Sequence, residues 1–212
     1  GALYSACYGG GRGSIFRFDV TEEHQHPARR DTRRILALDA KKITPKDLRT
    51  WLDHPDQRVR MKGQFELARR NMSEIFLETL QASGAIRLAR LHAIWGLGQI
   101  SRREPMALTS LEPAWQSDDP ELVAQCAKVA GDIPGHLPRI AGLREHLLAA
   151  LEHNSPRVRF FAAISLGKHK VEEAAPGLIN LLATGGSKDP YLRHAAMMGL
   201  KGALSPARLA SL

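Results

Sequence analysis

The sequence predicts a mainly α fold: an α–α superhelix of about five two-helix repeats, preceded by a short β-hairpin. Three observations carry this. The stretch Ser155–Lys168, Ser-Pro-Arg-Val-Arg-Phe-Phe-Ala-Ala-Ile-Ser-Leu-Gly-Lys, recurs along most of the chain. Its apolar anchor falls at Val59, Ala89, Leu122, Val158 and Leu192, in steps of 30, 33, 36 and 34 residues. The first twenty residues, by contrast, alternate with the period of strands around a glycine run. A period in that range, with two helices per unit, is the mark of a stacked helical solenoid.

In chain order, Ala2–Tyr8 and Ser14–Val20 read as strands, and Gly9-Gly-Gly-Arg-Gly13 as the connection that supplies positive φ angles. The glycine run leads into no helix and carries no Lys-Ser/Thr, so a hairpin turn is favoured over a phosphate cradle. A two-stranded hairpin alone is marginal in water, so its sheet is expected to continue upstream of Gly1. Residues 21–43 read as a polar linker with one helical turn around Arg33–Leu38. His24 and His26 lack a third ligand for a metal, which favours solvated histidines. Arg29, Arg30, Arg33 and Arg34 share one side if this segment is helical, either as a solvated face or as a contact for phosphate or an acidic partner.

The solenoid is assigned to residues 44–212. Thr44-Pro45-Lys-Asp47 combines a cap, a proline and an early acid, and Ser155-Pro156 repeats the signal. First helices are expected around Leu48, Trp51 and Leu52; Ile75, Phe76 and Leu80; Leu108, Leu111 and Trp115; Leu143, Leu147, Leu148 and Leu151; and Leu178, Ile179, Leu181 and Leu182. Second helices are predicted near 57–70, 86–101, 120–131, 156–168 and 190–203. Their buried columns are Val59 and Leu67; Ala93 and Leu97; Leu122 and Cys126; Val158, Ala162 and Leu166; and Leu192, Ala196 and Leu200. With Leu88, Leu91, Ile94, Trp95 and Leu97, unit two should be the most buried pair. Gly167 suits a left-handed helix end. Asp132–Pro138 is a longer loop and the expected point of altered curvature. Ser205-Pro206 reads as the opening of a sixth unit, so the chain is expected to be a piece of something longer.

The formal charge is +8 and the pI about 9.9. Residues 1–44 carry 8 basic and 5 acidic groups and the remainder 22 and 17, a spread that points only weakly to nucleic acid or an anionic surface. No apolar run is long enough to cross a bilayer. Cys7 and Cys126 make no Cys-x-x-Cys, haem-attachment or zinc spacing, and Cys126 sits in an alanine column as a small buried hydrophobe.

Arg60, Arg90, Arg159 and Arg193 follow four of the five anchors. They are expected either to form a structural ladder, pairing with an acid or carbonyl of the neighbouring unit, or to contact a ligand. His92, His146 and His194 lie in helices without a catalytic partner at suggestive spacing. No catalytic residue, cofactor-binding residue or metal ligand is assigned, and no cofactor is expected in this chain.

The arginine after the apolar anchor, the Asp-Pro or Ser-Pro before it and the closing Leu-Gly resemble the second helix of HEAT repeats of the armadillo type, over about Thr44–Leu212. Gly1-Ala-Leu-Tyr, Tyr8-Gly-Gly-Gly-Arg-Gly13 and Ser14-Ile-Phe-Arg17 resemble the last strands of a β-propeller. That propeller belongs to large bacterial membrane-bound dehydrogenase and PVC-type haem-binding Cys-x-x-Cys-His proteins. Those proteins resemble quinone-dependent sugar dehydrogenases, continue into HEAT repeats and often end in a cytochrome c domain. The resemblance implies a non-catalytic scaffold and protein-interaction module within an exported or periplasmic parent, with the parent itself dehydrogenase-like. Its partners would be another protein or neighbouring domains of the same chain. The haem motif is absent here, so no haem residue is carried over. Two alternatives stay open: a nucleic-acid-binding HEAT module similar to DNA glycosylases of HEAT-like fold, and a protein resembling the HEAT-like bilin lyases.

Overall fold

The computed structural model describes residues 3–9, 12–18, 26–133, 135–137, 140–185 and 188–211. Strands β1 (Leu3–Gly9) and β2 (Arg12–Phe18) form a two-stranded antiparallel sheet, in register from Leu3 opposite Phe18 to Gly9 opposite Arg12. The connection is tighter than the sequence suggests, because Gly9, Arg12 and Gly13 all pair within the ladder. Phe16 and Phe18 lie on one face of β2 and Ile15 on the other. All three are exposed.

Helix α1 (Pro27–Ala37) replaces the single turn expected in the linker. His26 accepts from the Ala28 N–H, and Pro27 opens the first turn. Thr32 and Ile35 are buried against the solenoid. The Lys62 ammonium donates to the carbonyls of Leu36 (2.7 Å) and Leu38 (2.5 Å), satisfying acceptors at the end of α1.

The five units follow. Their first helices are α2 (Pro45–Leu52), α4 (Ser73–Gln81), α6 (Glu112–Trp115, after a 3₁₀ stretch Pro105–Leu111), α8 (Leu143–Ala150) and α10 (Ala175–Thr184). Their second helices are α3 (Gln57–Arg69), α5 (Arg87–Ser101), α7 (Pro120–Ala130), α9 (Pro156–Lys168) and α11 (Pro190–Ala203). Helix α12 (Pro206–Ala210) opens a further turn of the pattern. Every predicted second helix is present within a residue or so of its expected bounds. Each of the twelve predicted core positions is buried, with Leu200 the most accessible at 6%. Among the described residues, the only sheet is the N-terminal hairpin.

Consecutive second helices pack on one another more closely than consecutive first helices do. Closer spacing in one layer bends a stack toward that layer, so the second helices form its inner side. A glycine column explains the close approach, and the expected role of Gly167 is corrected. It lies inside α9, where a Cβ would come within 2.8 Å of the Gly199 Cα in α11. Gly98 and Gly131 press in the same way on Val129 and Ser165. The left-handed residue after α9 is Lys170 (φ 56°), matched by Asn71 (φ 62°) after α3. Each is followed by an N–H bonded back to the helix: Met72 to the Leu67 carbonyl at 3.0 Å and Val171 to that of Leu166 at 3.1 Å.

In unit two Leu91, Ile94 and Leu97 are buried as expected, while Trp95 is half-buried and Leu88 is not buried. Leu88 is 43% exposed because it stands one residue before the anchor, on the solvent edge shared by Glu121, Arg157 and Tyr191. In the loop before α8, Ile133, Leu137 and Ile140 turn inward and are buried.

Candidate functional site

The N-terminal ends of the second helices share a construction that recurs from unit to unit. Asp56, Asp119 and Asp189 each accept from the N–H two residues on, at 2.8–2.9 Å. The loop ahead is pinned by an acceptor two residues before the cap: His54 Nδ1 for the Asp56 N–H, Ser117 Oγ for Asp119 and His153 Nδ1 for Ser155. These bonds fix where α3, α7, α9 and α11 begin and hence which side chains they turn inward; α5 follows Ile86 with no side-chain cap.

Three of the four candidate arginines fold back onto that loop. Arg60 donates to the carbonyls of His54 and Pro55, both at 2.7 Å. Arg90 donates to the Ala82 carbonyl at 2.9 Å, and Arg159 to that of His153 at 2.9 Å. The partners therefore lie in the same unit, where a neighbouring unit was expected. The guanidinium bridges the end of the first helix and the start of the second. Arg60 is buried, Arg90 and Arg159 are half-buried, and Arg193 is exposed on α11. The structure does not gather the four around one centre.

The ties between units come from positions the sequence reading passed over. Arg87 reaches Asp119 at 2.5 and 3.0 Å, and Arg157 reaches Glu121 at 2.6 and 3.0 Å. The Arg87 guanidinium holds the Asp119 carboxyl below the usual carboxylate range. Trp95 Nε1 donates to Gln125 Oε1 (2.9 Å), and Gln125 Nε2 donates to Glu121 Oε1 (2.7 Å), so one chain of bonds crosses three units. Arg157 also lies over the Phe161 ring, 5.1 Å from its centroid. The recurrence of Arg, Glu and Arg one or two residues before the anchor is the sequence signal for this ladder.

His92 is buried with Nδ1 2.6 Å from Gln64 Oε1. Burial first, and the Arg60 charge second, push its pKa down to about 4, so it is neutral near pH 7. His146 stacks on Trp115 and meets Glu112 Oε2 at 2.8 Å, a contact between units three and four, whereas His194 is exposed. Cys126 is fully enclosed and burial pushes its thiol up, which keeps it protonated. His24 lies outside the described residues, and His26 caps α1. Among the described residues, no group of three or more His, Cys, Asp or Glu side chains could hold a metal ion. Among the described residues, no helix is long and apolar enough to cross a membrane.

The second helices also carry an apolar column. Six residues after each anchor stand Phe65, Trp95, Lys128, Ile164 and Met198. At 100° per residue this column lies about 200° round the helix from the buried column of Gly63, Ala93, Cys126, Ala162 and Ala196. Phe65 and Met198 are 48% and 44% exposed, and Trp95 and Ile164 are half-buried. Between the starts of α9 and α11 a cleft of about 370 Å³ opens, lined by Pro156, Arg157, Phe160, Asp189, Tyr191 and Leu192.

Stacked two-helix units with buried anchors and a continuous second-helix layer define an α-solenoid of the HEAT-repeat fold. Residues 144–212 match the family described as HEAT repeats. Among solved structures, an engineered protein superposes with a TM-score of 0.57 at 20% identity, over 87% of this chain and 93% of that one. Human deoxyhypusine hydroxylase in complex with glycerol superposes with a TM-score of 0.48 at 15% identity, over 75% of this chain and 62% of that one. No curated protein matches the sequence.

Proposed function

We propose that this chain is a non-catalytic protein-interaction scaffold whose second-helix face receives its partner. The observation that carries the reading is the partly exposed column Phe65, Trp95, Ile164 and Met198, interrupted by charge only at Lys128. Interface centres are enriched in aromatic residues and Met and depleted of charge, as this column is. The buried columns are committed to stacking, and the polar ladder along the helix starts is internally paired. Function is therefore left to the exposed part of this column, in which Trp95 also ties unit two to unit three through its Nε1.

In the finer form of the proposal, the scaffold belongs to a larger exported protein that joins a β-propeller to a cytochrome c domain, and the parent is a quinone-dependent, dehydrogenase-like oxidoreductase. The hairpin supports it, because its exposed Ile15, Phe16 and Phe18 suit strands that belong to a wider sheet. The test is the complete open reading frame. An upstream propeller behind an export signal, with a downstream Cys-x-x-Cys-His, supports this form; a frame lacking all three refutes it.

One observation favours the nucleic-acid reading. Residues 26–70 carry 13 basic against 6 acidic groups, while residues 71–212 carry 15 against 13, so the positive excess gathers at the N-terminal end of the stack. Arg30, Arg33, Arg34, Lys41, Lys42 and Lys46 are exposed there. A titration with duplex and single-stranded DNA at ~50 and ~200 mM salt separates the two, since several phosphate contacts lose about 10³–10⁵ in affinity over that interval. The scaffold reading expects weak binding that vanishes at the higher salt. Binding that stays tight there, and falls when the exposed basic residues of 30–46 are neutralised, overturns it.

A further inference from the structure

We propose that the cleft between α9 and α11 is a receptor for an arginine side chain presented by the protein partner. The inference rests on the scaffold reading and names the chemistry of one of its contacts.

Asp189 caps α11 with a single oxygen. Its Oδ1 accepts from the N–H groups of both Tyr191 (2.8 Å) and Leu192 (3.2 Å). Its Oδ2 has no hydrogen-bond or ion-pair partner among the described residues. At the equivalent places Asp56 and Asp119 each hold an arginine besides the cap, Arg58 on Asp56 and Arg87 on Asp119. Among the described residues no guanidinium meets the Asp189 carboxylate, unlike those of Asp56 and Asp119. The nearby cation that lines the cleft, Arg157, is already bound through two nitrogens to Glu121 and lies over Phe161. It neither reaches Asp189 nor leaves an uncompensated positive charge to repel a ligand.

The rest of the lining fits the same occupant. Phe160 and Tyr191 are aromatic, and Tyr191 is 75% exposed. Pro156 and Leu192 are apolar and suit the three-carbon stem of an arginine. An aromatic face next to a carboxylate attracts a cation twice, through the ring quadrupole and through the charge. A planar guanidinium can lie flat against a ring while one of its N–H groups donates to the open Oδ2, a pose the compact ammonium does not match.

The test uses the ¹⁵N-labelled chain, acetyl-arginine amide and its neutral isostere acetyl-citrulline amide, followed by backbone amide shifts. The arginine probe is expected to move the signals of residues 157–160 and 189–192, with the citrulline probe at least about fivefold weaker, the factor for roughly 1 kcal/mol of exposed cation recognition. Asp189→Asn keeps the cap, because Asn caps as well as Asp does, and removes only the charge. It is expected to abolish the preference with an unchanged melting temperature, and Tyr191→Ala to weaken arginine binding in a folded chain. Equal response to the two probes, shifts centred elsewhere, or a preference that survives Asp189→Asn each overturns the assignment. Neither probe enters the DNA titration, so failure of the cleft and failure of the scaffold reading are distinguishable.

Discussion

Glu66 is the buried acid on which the N-terminal end of the stack depends, and Glu66→Gln is the perturbation that exposes this. Its side chain is 8% accessible and takes hydrogen bonds from Arg69 (2.8 and 2.7 Å) and from Arg70 Nε (2.7 Å). Arg70 in turn donates to the carbonyls of Ala40 (2.8 Å) and Ile43 (2.9 Å), holding the segment after α1 onto α3. The hydrogen bonds from Arg69 act most strongly on the carboxyl, burial opposes them, and Arg70 adds to them, so its pKa falls from 4.5 to about 2. Because the folded pKa lies below the unfolded one, the stabilisation is complete above about pH 4.5 and is lost as pH falls toward 2. At about 1.4 kcal/mol per unit, the shift is on the order of 3 kcal/mol at pH 7. Urea unfolding of wild type and Glu66→Gln at a series of pH values measures it. The gap between the two proteins should be a few kcal/mol at pH 7 and narrow steadily below pH 4.5. A gap that is the same at pH 7 and pH 3 would refute the argument, because the loss would then come from packing and not from charge.

Leu166→Ala and Leu97→Ala should each cost about 2–5 kcal/mol in chemical denaturation, since both side chains are fully buried. Removal of residues 1–20 should cost far less in the same assay. Gly167→Ala should destabilise by about 1–3 kcal/mol by overpacking α9 against α11, read as a drop in melting temperature. Gly84→Ala, where a Cβ meets nothing within 4 Å, is the control. His92 has a depressed folded pKa, so its contribution is complete above about 6.5 and lost as pH falls through about 4. His92→Gln should flatten the stability–pH curve in that window.

The second helices were legible because every unit repeats an apolar anchor with a small residue four positions on, and four of the five, all but α5, add a capping residue or proline. These are local signals that stacking reinforces. Helix α1 was less legible. Six of its eleven residues are Arg, Asp or Thr and its large apolar residues fall at the end, so the buried Thr32 and Ile35 and the Lys62 contacts made across from another helix explain it. The glycine column misled for a different reason. A glycine after leucine suits a left-handed cap and a close helix contact equally well, and only the position of the next unit decides. The arginines show the same limit, since the residue type and column were visible but the carbonyl each would take was not. Nothing in the sequence linked Asp189 to Phe160, because their proximity arises from the stacking of units four and five.

The central claim is that partners meet the second-helix face. A photo-reactive phenylalanine analogue placed singly at Phe65, Leu88 or Met198 on that face, or at Met106 or Ile179 outside the second helices, tests it in the full-length protein within its native cells. The account predicts one discrete protein adduct, or one cross-link to the same neighbouring domain, from all three second-helix positions and none from the other two. Equal cross-linking from both sets, or adducts to nucleic acid from residues 65, 88 and 198, would contradict it.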